Sequence, residues 1–305
     1  MRPRTLALAI DLGGTKVDAA LVDADGAVLA GSLHRAPTGR DASRDEVAQA
    51  IRGVATATLA GADPDDEVIG IGIGSAGPVD LARGTIAPLN LPAIADLPIV
   101  ALVQQLRPDV PVRLALDGTC IALAEHWRGA AVGTRNALAM VVSTGVGGGL
   151  VIDGSPVSGA SGNAGHIGQL RLRDRAAGAP ATDGTVEAVA SGPGAVAWAQ
   201  AQGWSGSTGE EIASAYAAGD PIAVAAVQRS AAAVGQAIAD VATLLDLEVA
   251  VIAGGFARVS DDYLDMVRSA GQDAAILGYA RRVRIAPSGL HGDGPLIGAA
   301  ALILH

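Results

Sequence analysis

Residues Leu6 to Asp25, LALAIDLGGTKVDAALVDAD, constrain the fold more than any other stretch. Leu6 to Ile10 reads as a buried strand, Asp11 ends it, Gly13 and Gly14 turn the chain, and a second apolar run returns to Val22. The pattern is a β-hairpin with a carboxylate at its mouth. Two adjacent glycines leave no side chain between solvent and the backbone N–H groups. A phosphate can therefore lie against the turn, with the Thr15 hydroxyl and the Lys16 ammonium beside it. The spacing is not that of a P-loop, and the chain continues as strand where a Rossmann turn would open a helix, so neither mechanism applies. Taken alone, the motif is also compatible with a plain glycine turn and an exposed Asp.

The pattern then returns. Asn136 to Ser143 reads as a strand, Thr144-Gly-Val-Gly-Gly-Gly149 as a glycine turn and Leu150 to Ile152 as the returning strand. Asp153-Gly154 follows it as Asp25-Gly26 follows the first copy. Two copies predict two related lobes, each offering a phosphate-facing hairpin to a shared cleft. A chain of 305 residues is long enough for two such domains.

Between the copies, Ala27 to Leu33 reads as a third strand. Ser43 and Glu46 form a capping box ahead of a helix whose apolar face carries Val47, Ile51, Val54, Ala55 and Leu59. Val68 to Ile73 is a strand ending in GSAGPVD, where small residues around Gly77 let a loop approach a ligand, and the loop at Asn90 is of the same kind. Val112 to Leu116 is a strand that stops at Asp117, just before a helix from Ile121 to Trp127. A carboxylate there points into the crevice where open α/β sheets bind ligands, but Asp is equally at home as a helix cap. Beyond the second hairpin, Ser158 to Gly168 and Arg171 to Gly184 read as loops, and Glu187 opens a helical segment. Thr208 with Glu211, and Gly219-Asp-Pro, start helices, the last running to Leu245. Val249 to Ile252 is a strand followed by Gly254-Gly255, and Pro295 opens a short C-terminal helix.

Charge narrows the partners. With 21 Lys+Arg against 31 Asp+Glu the net charge is −10, so no general attraction to nucleic acid or an anionic membrane is expected, and an anionic substrate needs a local site. The single Cys120 excludes an intrachain disulfide framework and an all-cysteine metal site, in keeping with a reducing compartment. The apolar run before Asp11 is too short for a signal-peptide core, and no run is expected to span a bilayer, so a cytoplasmic protein is expected.

Asp11-Leu-Gly-Gly-Thr-Lys16, Asp117, Ser143-Thr-Gly-Val-Gly-Gly-Gly149 and Val251-Ile-Ala-Gly-Gly-Phe256 stand in order along nearly the whole chain. Together they resemble the ROK family (repressors, open reading frames and sugar kinases) within the actin-like ATPase superfamily. The resemblance implies an α/β, two-lobed actin-like ATPase fold of ribonuclease-H-like halves with an interlobe cleft. The expected lobes are 1–117 plus 292–305 and 118–291. It also implies a kinase that moves the γ-phosphoryl group of ATP to a sugar hydroxyl, usually the 6-hydroxyl of a hexose, and a homodimer. By this resemblance Asp11 organises Mg²⁺ near the phosphates beside Gly13, Gly14 and Thr15. Thr144 and Gly145 grip phosphates from the other lobe, Gly254 and Gly255 border the adenosine, and Asp117 takes the hydroxyl proton. Family repressors carry a DNA-binding arm before the first phosphate motif; here that motif begins about ten residues in, which favours a kinase.

The departures from the family concern the sugar and zinc positions. Leu116 stands where family kinases have an Asn that binds a sugar hydroxyl. His166 replaces a sugar-binding Glu, and Gln169 replaces a zinc-ligand His. The cysteine positions that follow are Gly178, Pro180 and Thr185, while Glu187 matches the family's last sugar-binding Glu. No zinc is expected. With Asp117 and Glu187 retained but an amide lost, the site suits a modified hexose such as an amino sugar. The alternatives are a cyclitol or other secondary-metabolite precursor, a locally compensated glucose site, or a non-catalytic sugar-binding relic.

Overall fold

The computed structural model describes residues 3–172, 184–290 and 292–305. Gly178 and Pro180, two of the expected zinc positions, lie outside these residues. The strands are β1 (Thr5–Leu12), β2 (Lys16–Asp23), β3 (His34–Pro37), β4 (Glu67–Ser75), β5 (Val79–Asp80), β6 (Thr85–Ile86), β7 (Val112–Leu116), β8 (Ala137–Val142), β9 (Val146–Ile152), β10 (Ser155–Pro156), β11 (Val249–Ala253) and β12 (Arg284–Pro287). The helices are α1 (Arg44–Ala60), α2 (Ile99–Gln104), α3 (Asp117–Arg128), α4 (Val186–Ala190), α5 (Gly192–Ala201), α6 (Gly209–Ala217), α7 (Pro221–Leu245), α8 (Tyr263–Ala274) and α9 (Gly294–Leu304). Two compact units result. One is Met1–Val132, Pro156–Gly165 and Gly289–His305; the other is Gly133–Ser155 and His166–Ser288. The expected division at 117 differs from this grouping, since α3 packs on α9 and so sits with the first unit.

In the first unit the sheet order is β3-β2-β1-β4-β7, with β1 antiparallel to β2 and parallel to β4. Alternation assigns the faces. Leu6, Leu8, Ile10 and Leu12 bury with Val47 and Ile51 of α1 and Val103 of α2, whereas Ala7, Ala9 and Ala20 join Ala299 and Ala300 of α9. The second face is small because α9 lies against the sheet backbone. A Cβ on Gly72 would overlap the Ala299 carbonyl, and one on Gly298 would overlap the Cys120 carbonyl. The capping box of α1 is present, with the Ser43 side chain accepting from Glu46 N–H and the Glu46 carboxylate accepting from Ser43 N–H. The third strand is not Ala27 to Leu33 but His34–Pro37. Only Val28 bridges to Val22, Gly31 turns the chain at φ +77°, and the Ser32 hydroxyl takes the Leu21 N–H that a strand would have taken.

The second unit repeats the arrangement in the order β10-β9-β8-β11-β12, with β8 antiparallel to β9 and parallel to β11. Its hairpin turn is shorter than expected. β9 begins at Val146, so Gly147, Gly148 and Gly149 are strand residues paired with Val141, Met140 and Ala139. At 25 residues α7 is long and apolar enough to cross a bilayer, contrary to the expectation that no run is. Val227, Val234 and Ile238 nonetheless bury it in the core of this unit. Its start follows the sequence signal: Asp220 accepts from the N–H groups of Ile222 and Ala223, both at 2.9 Å. The sequence reading did not identify α2, α8, β12 or the β5-β6 ribbon.

Candidate active site

At the first hairpin, Gly13 N–H donates to Lys16 O at 2.9 Å and closes the turn. Thr38, just past β3, clamps it, donating its N–H to Thr15 O at 2.9 Å and its hydroxyl to Gly13 O at 3.1 Å. Among the described residues the N–H groups of Gly14 and Thr15 donate to nothing, which leaves two amides for an anion. Asp11 lies directly opposite Asp18 in the β1–β2 register. Burial, reinforced by the neighbouring Asp117 and Asp18 carboxylates and partly offset by Lys16, pushes the Asp11 carboxyl up to about 7. Asp18 is itself nearly inaccessible, and Arg35 of β3 grips it through two bonds of 2.6 and 2.8 Å. Lys16 is also engaged by Asp18, at 2.9 Å. Burial would raise Asp18, but the bonds from Arg35 and Lys16 outweigh it and hold the carboxyl below its ordinary range.

Asp117 is the first helical residue of α3, and its side chain accepts from Gly118 N–H at 2.7 Å. It is near enough to Asp11 to raise it, so the structure brings together the two aspartates expected to carry the chemistry. Cys120 lies beneath them, its thiol pushed well up by burial and by both carboxylates. Gly74 makes this packing possible, since a Cβ there would stand 3.0 Å from the Cys120 sulfur and 3.7 Å from Asp11 Oδ1. Leu116 is 2% exposed and belongs to the core, so no side chain is offered from that position. The Asn90 amide rests on the first hairpin; a Cβ on Gly14 would run into it. The Gly77 carbonyl accepts from Leu89 N–H at 3.3 Å, next to Asn90.

In the second unit Ser143 N–H donates to Gly145 O at 2.9 Å, and among the described residues the amides of Thr144 and Gly145 donate to nothing. Glu187 buttresses this turn. Its Oε2 accepts from Val146 N–H at 2.9 Å and would stand 2.9 Å from a Cβ on Gly145, while Gln169 Nε2 donates to its Oε1 at 3.4 Å. His166 is exposed at the start of the Ile167–Gln169 turn. That turn lies on β9, where a Cβ on Gly168 would overlap the Val146 carbonyl. Gly254, at φ +106°, passes so close to the Val142 carbonyl that no Cβ fits, and Gly255 lines a cavity of about 520 Å³. Ser143, Thr144, Thr208 and Arg258 supply polar groups to that cavity, while Phe256 and Val259 supply apolar surface. Its size and mixed lining suit a nucleoside.

Of the expected zinc positions, Gln169 bonds to Glu187, and the Thr185 side chain caps α4 by accepting from Ala188 N–H. Among the described residues no three His, Cys, Asp or Glu side chains form a metal-holding group. Mg²⁺ accompanying a nucleotide needs only one or two carboxylates. Asp11 fits that requirement, since neighbouring negative charge opposes its ionisation and no hydrogen bond to its carboxylate is made among the described residues. The sequence reading missed Asp18, Arg35 and Thr38. An Asp within an apolar strand, placed by the hairpin register across from Asp11, was the available signal.

The model of the ROK family matches residues 7–305. The chain is similar to a glucokinase of Streptomyces coelicolor, 29% identical with 97% of each chain covered, and to an N-acetylmannosamine kinase of Escherichia fergusonii, 32% identical with 97% of each covered. It also superposes on a ROK family glucokinase from Streptomyces griseus in complex with glucose and AMPPNP. There the TM-score is 0.79 at 28% identity, over 97% of this chain and 98% of that one. By this match and its paired glycine hairpins, the chain belongs to the ROK family and is an ATP-dependent sugar kinase of the α/β actin-like ATPase fold.

Proposed function

We propose that the enzyme transfers the γ-phosphoryl group of ATP to the 6-hydroxyl of a hexose, with an amino sugar as the preferred acceptor. The observation that carries the transfer is Asp117 at the start of α3 beside Asp11. Asp117 acts as the base that receives the hydroxyl proton, a role that contributes about 10²–10⁴-fold. Asp11 would hold the Mg²⁺ that accompanies the nucleotide, which would offset charge on the phosphates. Gly13, Gly14, Thr15 and Lys16 form the phosphate site of the first unit. Thr144 and Gly145 form that of the second, where Gly254 and Gly255 border the adenosine. The amides of Gly14, Thr15, Thr144 and Gly145, which donate to nothing among the described residues, support these assignments.

Gly77, Asn90, His166 and Glu187 are the sugar-binding residues. The core position of Leu116 supports a changed acceptor, because no amide is available there for a hydroxyl, and a site that leaves a hydroxyl unpaired loses selectivity for that sugar. The imidazole of His166 both donates and accepts, where an ionised Glu only accepts. Two relatives act on different sugars by name, glucose and N-acetylmannosamine, which supports a fold that admits either. A cyclitol acceptor is the second reading, favoured by the same Leu116 and His166. A non-catalytic relic would have no use for the Asp11 and Asp117 pair. The deciding measurement is kcat/KM for glucose, 2-amino and 3-amino glucose and a C7 cyclitol at saturating Mg-ATP. An amino sugar should lead, and glucose ahead by about tenfold or more would end the proposal. We further propose a cytoplasmic homodimer without zinc. Gln169 and Thr185, already engaged in other bonds, support the last point, and stoichiometric zinc by elemental analysis would overturn it.

A further inference from the structure

The segment Pro156–Gly165 belongs to the first unit although its flanks belong to the second. Beyond Pro156 it contains no helix or strand, and Gly159, Gly162 and Gly165 all have positive φ, at +72°, +96° and +101°. Asn163 ties it to the unit. Its Oδ1 accepts from Val79 N–H at 2.8 Å, and its Nδ2 donates to Val79 O at 2.7 Å, the pairing a neighbouring strand would provide. Nδ2 also donates to Ser161 Oγ at 3.1 Å, which holds the amide in that orientation. Val79 is buried with the amide in place, so losing it takes a partner from both of its backbone groups. Val79 lies two residues after Gly77. On the other side of the same loop, Ala87 N–H donates to Pro78 O at 2.9 Å and Leu89 N–H to Gly77 O. The Gly77 loop is therefore held between the segment leading to Asn90 and the Asn163 side chain.

We propose that Asn163 is a positioning residue for sugar selectivity, holding the Gly77 loop where it meets the acceptor. This rests on the reading of Gly77 and Asn90 as part of the sugar site. The amide's bonds run to Val79 and Ser161 and to none of the phosphate-site residues, so its loss should affect sugar and spare nucleotide. A reacting group displaced by an ångström loses catalysis steeply, which makes a loop anchor of this kind consequential.

Steady-state kinetics of Asn163→Ala, Asn163→Asp and Gly162→Ala test the assignment, with Asn90→Ala run beside them. Asp keeps an acceptor for Val79 N–H but sets an oxygen against Val79 O, so it should do no better than Ala. Gly162→Ala disturbs the segment without altering the amide, because its Cβ would stand 2.5 Å from Leu81 Cγ at a positive φ, and it serves if Asn163→Ala does not fold. Each variant should raise KM for sugar about tenfold while KM for Mg-ATP stays within about twofold. Equal rises in both constants would mean a general structural role and overturn the proposal. If Asn90→Ala raises the sugar KM and Asn163→Ala does not, the proposal fails while the site reading stands. An unchanged sugar KM in Asn90→Ala removes the site reading itself.

Discussion

The two hairpins share a strand order and a turn design but carry different chemistry. β1–β2 and β8–β9 each close their turn with one backbone bond, from Gly13 N–H to Lys16 O and from Ser143 N–H to Gly145 O, and each leaves two amides without a partner among the described residues. On the first hairpin the charge is built in. Asp11, Lys16 and Asp18 lie on its strands, and Arg35 reaches Asp18 from the adjoining one. The second hairpin has no ionisable residue between Ser143 and Ile152, and its charge arrives from Glu187 on α4, which holds the turn through Val146 N–H. One supersecondary unit can thus carry its own charge or form one wall of a cavity of mixed lining. The chemical difference lies in which side chains decorate it.

The largest effect that would test this contrast comes from Asp117→Asn. An amide holds a hydroxyl but does not accept its proton, so kcat should fall by about 10²–10⁴ while nucleotide affinity stays within about twofold. A variant within about tenfold of wild type would reduce Asp117 to a helix-terminal residue and leave the first hairpin without its chemical partner.

Smaller effects are expected from one added methyl on each turn. Gly14→Ala pushes on the Asn90 amide and should raise KM for sugar about tenfold. Gly145→Ala pushes on Glu187 Oε2 as well as on the turn and should raise KM for both Mg-ATP and sugar several-fold. If Gly14→Ala leaves the sugar constant alone, or Gly145→Ala leaves both constants alone, the roles assigned to the two turns are wrong.

The smallest effect is on stability. The raised carboxyl of Asp11 binds its proton more tightly in the folded chain than in the unfolded one. Its contribution is fully present below about pH 4 and is lost as pH rises through about 7. Asp11→Asn keeps a neutral group throughout. Its Tm should match wild type near pH 4 and exceed it by several degrees at pH 8, without nucleotide or Mg²⁺. Thr144→Ala, on the uncharged hairpin, should show the same Tm offset at both pH values. A pH-independent offset for Asp11→Asn would mean that neither burial nor the neighbouring carboxylates oppose its ionisation.

Much of the frame was legible along the chain. Leu6 to Ile10, the Ser43–Glu46 box, the Asp220 cap and the strand stop at Asp117 all depend on residues within a turn or a pleat of each other, and all appear in the structure. Local reading failed where a partner far away in sequence decides. Gly147 to Gly149 look like turn residues, but the ladder to β8 makes them strand. Ala27 to Leu33 look like strand until Ser32 takes the Leu21 N–H.

For the site the division is the same. The sequence alone determined that two glycine hairpins exist and that Asp117 stops a strand, because hydrophobic period and turn chemistry are local, whereas Asp11, expected to end its strand, lies within β1, which the ladder to β2 carries on to Leu12. Only the tertiary structure decided what those groups face. Lys16 is engaged by Asp18, Glu187 supports a turn 41 residues away in sequence, Leu116 faces the core, and the Asp11 carboxyl is raised by burial and by Asp117. Electrostatics and packing act through space over a few ångströms, and strand register and helix docking set those distances.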